Sequence, residues 1–105
     1  MLESKFQAEV ISDLSQRFPG CIVLKNDANY IQGFPDLLVL FNNNWAALEV
    51  KNTNKARRQP NQDYYVGVLD EMSFAAYIHP DNKEDIFDDL QQAFRPRRAS
   101  RVSKR

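Results

Sequence analysis

Two apolar runs of strand length, Leu37-Leu38-Val39-Leu40-Phe41 and Trp45-Ala46-Ala47-Leu48, flank three asparagines, Asn42-Asn43-Asn44. Runs of this length around a turn signal predict a β-hairpin, and asparagine tolerates the positive φ that tight hairpin loops demand. Between Gly33 and Lys51 the only charged residues are Asp36, Glu49 and Lys51. Side chains two apart on a strand share a face, so Glu49 and Lys51 point the same way. A two-residue loop at Asn42-Asn43 or Asn43-Asn44 sets Asp36 opposite Glu49 or Lys51, on their face. A three-residue loop turns Asp36 to the other face unless a bulge intervenes. Carboxylates beside an otherwise buried sheet are costly without compensation. A divalent cation is a natural compensator, and a neighbouring lysine suits phosphate chemistry. The plainer alternative is an Asp at a strand start and a Glu–Lys pair at a solvated strand end.

The rest of the chain predicts a small α/β domain. A first helix is expected over 3–17, with Phe6, Val10 and Leu14 along its buried stripe. Glu3 falls inside that stripe and Glu9 on its shoulder, so Glu3 is preferred as the acid aimed at the hairpin. A helix N-terminus also favours an acid for its own sake. Pro19-Gly20 stops the helix, and Cys21–Lys25 reads as a buried strand. After the hairpin comes a polar, basic loop, then a second helix beginning at Gln59-Pro60. Its stripe is Tyr65, Leu69 and Met72, edged by Val66 and Val68, and Gln62 shares it. Phe74–Ile78 reads as a further strand. A third helix is capped by Asp81 or Asn82 and presents Ile86, Phe87, Leu90 and Phe94, with Asp88 and Asp89 solvated.

Pro35-Asp36 followed by Glu49-Val50-Lys51 resembles the signature of the PD-(D/E)XK nuclease superfamily. The nearest type is the minimal one of VRR-Nuc domains, Holliday junction resolvases and phage endonucleases. The resemblance runs from about Glu3 to Ile78 and is most specific in the hairpin. It implies an αβββαβ restriction-endonuclease-like core, a mixed sheet flanked by helices. It also implies Mg²⁺, with Mn²⁺ able to substitute, on Asp36, Glu49 and the Val50 carbonyl, with Glu3 reaching the same ion or a second one. Lys51 is then the residue that positions the attacking water, and Gln62 supports the site. The implied activity is endonucleolytic hydrolysis of DNA, and so small a domain is expected to select branched structure rather than sequence. A homodimer, with Tyr64, Tyr65 and Phe74 as candidate interface aromatics, and a phage source are further implications. Alternatives are a catalytically idle DNA- or partner-binding module on the same fold, an enzyme acting on RNA, or a sequence-specific restriction or homing-type nuclease.

Charge supports a nucleic-acid partner. The 14 basic and 14 acidic residues cancel overall, but six bases and no acid fall in residues 95–105, leaving eight bases against all 14 acids before them. The division expected is a nuclease domain over 1–94 and a flexible basic tail over 95–105. The predicted phosphate contacts are Lys25, Asn26, Lys55, Arg57, Arg58, Arg95, Arg97 and Arg98. With 43% hydrophobic residues there is material for one core, and no apolar run is long enough to cross a membrane. The N-terminus lacks the apolar centre of a signal peptide, and the lone Cys21 has no cysteine to pair with, so a reducing cytoplasm is expected. Cys21 is assigned to the core and His79 to a surface or cap position.

Overall fold

The computed structural model describes residues 1–95. Seven elements follow in order: α1 (Glu3–Arg17), β1 (Ile22–Lys25), β2 (Leu37–Phe41), β3 (Asn44–Val50), α2 (Gln62–Met72), β4 (Ala75–Ile78) and α3 (Lys83–Ala93). The chain is α/β, with one mixed four-stranded sheet in the order β1-β2-β3-β4. β1–β2 and β2–β3 are antiparallel, whereas β3 and β4, joined through α2, are parallel. No helix among the described residues is long and apolar enough to cross a membrane.

The hairpin takes the Asn42-Asn43 loop. Phe41 pairs with Asn44 and Leu37 with Leu48, and Asn42 supplies the positive φ of 55°. Alternation then sorts the strands by face. Leu37, Val39, Leu48 and Val50 enter the main core with Phe6, Val10 and Leu14 of α1 and Phe87 and Leu90 of α3. On the other face Leu38, Trp45 and Ala47 join a smaller core with Leu69, Tyr65 and Val66 of α2. Ion pairs tie α1 to α3 across the first face. Lys83 Nζ donates to Glu9 Oε2 (2.9 Å) and to Asp13, and Arg17 Nη2 reaches Asp88 Oδ1 at 2.6 Å. These pairs are partly exposed, and surface pairs are typically worth at most ~1 kcal/mol each, so the apolar faces set the packing. Glu9, the alternative first-helix acid, is paired with Lys83 of α3.

Several sequence expectations are corrected. β1 is not a buried strand but one edge of the sheet, with Ile22 57% and Leu24 45% exposed, because α2 packs mainly on β3 and β4. The second helix starts at Gln62 rather than at Gln59-Pro60, since Asn61 takes a left-handed φ of 72°. Met72, expected in the buried stripe, is 67% exposed at the end of that helix. Tyr65 packs edge-on against Phe34 and Phe74 against the main core, so of the three candidate interface aromatics only Tyr64 stays largely exposed. Cys21 does pack against the core. His79 closes the turn into α3, its backbone N–H donating to Asn82 Oδ1 (2.8 Å).

Candidate functional site

The register that pairs Leu37 with Leu48 sets Asp36, one residue before β2, across from Glu49. Both lie on the α2 side of the sheet, at the end remote from the asparagine loop. Asp36 is locked into that position. Its Oδ2 accepts the Val50 N–H (2.9 Å), and its carbonyl accepts the Asn26 N–H (2.8 Å). Asn26 also donates its side-chain amide to the Pro35 carbonyl at 2.7 Å. The segment before Pro35 is fixed from the other side. Gly33 has φ +88°, and a Cβ there would lie 2.6 Å from Asn61 Cβ and 2.9 Å from the Pro60 carbonyl oxygen. The start of α2 therefore rests directly on the Gly33 backbone, which only glycine permits.

That contact brings Gln62, the first residue of α2, over the hairpin end. Gln62 is buried, and its amide is read from both sides. Oε1 accepts Lys51 Nζ (2.9 Å) and the Gln59 N–H (2.8 Å), while Nε2 donates to Glu49 Oε2 at 2.7 Å. Two donors on one end and an acceptor on the other fix the amide orientation. Lys51 Nζ makes a second bond to the Arg57 carbonyl (3.0 Å) and lies 3.7 Å from Glu49 Oε2. Glu49 Oε1 is buried with no hydrogen-bond partner.

Charge at this spot is out of balance. Burial, and then the Asp36 charge, push the Glu49 carboxyl up to about 8, against the opposing pull of Lys51. Burial also raises Asp36, opposed by the Val50 N–H and Lys51. Glu3 is raised by burial and then by Asp36. The start of the chain lies near the hairpin end, where Asn52 Nδ2 donates to the Met1 carbonyl (3.4 Å). Glu3 is exposed rather than inward-facing, so its expected position inside the apolar stripe is corrected. Among the described residues, no three His, Cys, Asp or Glu side chains form a group that could hold a metal ion.

A pH effect follows with a definite sign. In the unfolded chain Glu49 titrates near the ordinary 4.5, and in the fold near 8. Between those values the folded state binds more protons, so stability is fully present below about 4.5 and falls as pH rises through 8. At ~1.4 kcal/mol per unit, the loss from Glu49 is at most ~5 kcal/mol. Urea titrations of the metal-free protein at pH 5 and pH 8.5 are expected to show the lower midpoint at pH 8.5; a higher midpoint there would contradict the placement of Glu49.

The basic residues divide. Lys25, at the end of β1, and Lys55 are exposed. Arg57 is exposed while its carbonyl anchors Lys51. Arg58 is engaged, bonded to Asp63 Oδ1 (3.0 Å) and stacked over the Tyr77 ring at 4.1 Å. Asn26, expected as a DNA contact, spends its amide nitrogen on Pro35 and acts as a clamp on Asp36. Arg95 is exposed just after α3, where Phe94 packs on Phe41 and Phe18. The basic segment therefore starts near the asparagine loop, at the opposite end of β2 from Asp36. Arg97 and Arg98 lie outside the described residues.

The clamp by Asn26 and the seat at Gly33 were missed by sequence reasoning; the only signal was one of two Asn and the single Gly in the loop between β1 and β2. Comparison with protein-family models, with curated proteins and with solved structures gave no match to this chain.

Proposed function

We propose that this protein is a metal-dependent endodeoxyribonuclease of the PD-(D/E)XK type, hydrolysing phosphodiester bonds in branched DNA. The observation that carries the reading is the convergence of Asp36, Glu49 and Lys51 at one end of a rigid hairpin, with Glu49 Oε1 buried and unpartnered. The element order α-β-β-β-α-β, with an antiparallel hairpin bearing the site, supports this reading.

The donor set fits a hard divalent cation such as Mg²⁺. Two carboxylates face each other across a strand pair, one with an orphaned oxygen, and both are held above their ordinary pKa by burial. Asp36 and Glu49 would hold the ion, with the Val50 carbonyl as a further oxygen ligand and Glu3 reaching the same ion or a second one. A bound ion would lower the pKa of a water and offset charge on the phosphate. The chain's own residues supply the remaining chemistry. Lys51 carries a fixed positive charge into a nearly dry site, where it stabilises negative charge that develops on the phosphate. Gln62 positions Lys51 and Glu49 together, because one amide bonds both. Asn26 and the Val50 N–H keep the Asp36 carboxylate aimed across the strands. Lys55 and Arg57, on the loop beyond Lys51, supply phosphate contacts. A homodimer suits the symmetric nicking of a four-way junction.

The test is a digest panel of four-way junction, flap, single strand, linear duplex and RNA, with Mg²⁺ and with a chelator. The expected result is metal-dependent cleavage, the junction cut best, lost in Glu49→Ala. Absence of metal-dependent cleavage on every substrate would refute the enzyme; equal cutting of plain duplex would refute the preference. Removing residues 95–105 deletes six positive charges. It is expected to weaken DNA binding and to flatten the dependence of log K on log salt, by up to ~0.9 for each phosphate no longer neutralised. An unchanged slope in a salt titration would remove the tail from the interface.

A further inference from the structure

The loop between β1 and β2 borders an open pocket of about 430 Å³, lined by Asn26, Asp27, Tyr30, Ile31 and Phe34. That volume falls in the range of small-ligand sites, roughly 300–1,000 Å³. The cavity adjoins the proposed cleavage site through the chain itself. Asn26, on its wall, is bonded to the carbonyls of Pro35 and Asp36, and Phe34 lies two residues before Asp36.

The lining selects a chemistry. Two aromatic rings face the space. Phe34 is steadied by an edge-on contact with Tyr65, centroids 5.4 Å apart, whereas Tyr30 is 84% exposed. One carboxylate, Asp27, accepts the Asn29 N–H with Oδ1 (2.8 Å) and forms no ion pair among the described residues. A phosphate is repelled by Asp27, and an aliphatic ligand leaves that carboxylate unused. A flat ring with N–H donors on its edge uses both features, stacking on an aromatic face while its edge donates to the carboxylate.

We infer that this cavity receives one unpaired, amino-bearing nucleobase of the DNA bound at Asp36 and Glu49, guanine in preference to the others. The inference rests on the nuclease reading and narrows its substrate class. Guanine presents two adjacent donors, N1–H and the N2 amino group, to a carboxylate. Cytosine and adenine present one amino group beside a ring acceptor. Thymine presents one N–H between two carbonyls, which a carboxylate repels. In a duplex those edges are occupied by pairing, so the cavity distinguishes DNA carrying an unpaired nucleotide from plain duplex. The unpairing cost is least where the base is already free.

The experiment measures binding of the full chain, in chelator, to a fluorescent duplex with one bulged G, C, A or T, against the fully paired duplex. The bulged G is expected to bind about tenfold tighter than the paired duplex, and the bulged T about as weakly as the paired one. Tyr30→Ala should bring the bulged duplexes to the paired value, while Tyr30→Phe keeps the preference. Asp27→Asn retains an oxygen for the Asn29 N–H and should level G with T. Equal affinity for bulged and paired DNA, or a bulge preference that survives Tyr30→Ala, overturns the inference. Cleavage with Mg²⁺ run alongside separates the two readings. Glu49-dependent cutting with no bulge preference sinks the cavity alone; a Tyr30-dependent bulge preference with no Glu49-dependent cutting sinks the hydrolase alone.

Discussion

Glu49→Gln is expected to abolish metal-dependent cleavage, by about 10³-fold or more, and at the same time to make the metal-free protein more stable at pH 8. The two effects have one cause. Glu49 is 3% exposed, has an oxygen without a partner, and faces Asp36 across the strands. Its carboxyl is held near 8, so deprotonating it costs the fold free energy. The amide is nearly isosteric, can still accept from Gln62 Nε2, and carries no charge to desolvate. At ~4–8 °C per kcal/mol for a domain of this size, a gain of ~1–2 kcal/mol gives a rise of roughly 4–16 °C at pH 8. The gain should shrink to nothing at pH 5, where wild-type Glu49 is already protonated. Mg²⁺ should raise the wild-type midpoint at pH 8 and move the variant less, since the variant leaves the ion Asp36 without its facing carboxylate. Thermal melts at the two pH values, with and without Mg²⁺, read all of this. A variant less stable than wild type at pH 8 would show that the Glu49 carboxylate is a stabilising group and not a strained one.

The second large effect is expected at Gly33, which has no chemistry of its own. Gly33→Ala puts a methyl 2.6 Å from Asn61 Cβ and 2.9 Å from the Pro60 carbonyl, in a backbone conformation with φ +88°. The left-handed backbone costs ~1–2 kcal/mol and the overpacking ~1–3 kcal/mol, so a loss of ~2–5 kcal/mol is expected in urea unfolding. Relief requires the start of α2 to back away, which carries Gln62 out of its bridge between Lys51 and Glu49. Cleavage should therefore fall even under conditions where the variant stays folded. Gly67→Ala is the control. It lies within α2 with nothing within 4 Å of an added Cβ, so it should gain ~0.5–1 kcal/mol. If Gly33→Ala were as benign as Gly67→Ala, the seat of α2 on the hairpin would be wrong.

How far the sequence foretold these features depends on the range of the interaction. The hairpin was legible because its determinants are local. Asn42 can take a positive φ, period-2 alternation fixes the faces, and the placement of Asp36 across from Glu49 then follows by counting. Gln62 was legible through helical spacing from Leu69. The first helix was legible to its residue limits, since Phe6, Val10 and Leu14 repeat at one helical interval before Pro19-Gly20. β1 was misjudged because Ile22 and Leu24 look the same at a sheet edge as in its centre; only the limited reach of α2 decides between them. The start of α2 was misplaced because proline at a first turn is a good local signal, but here Pro60 and Asn61 are shaped by Gly33, 27 and 28 residues earlier. The pairing of Lys83 with Glu9 and Asp13, 74 positions away for the first and 70 for the second, carries no local signal at all.

The sheet is covered unequally, with α1 and α3 gripping a large apolar face and α2 resting on a few residues around Ala47, Leu69 and Ala75. Amides of α2 should consequently exchange with deuterium well before those of α1 and β3, because the smaller cluster can open while the larger one stays closed. Such an opening would swing Gln62 aside and uncover Lys51, so the thin half of the molecule would act as a hatch over the amine beneath it.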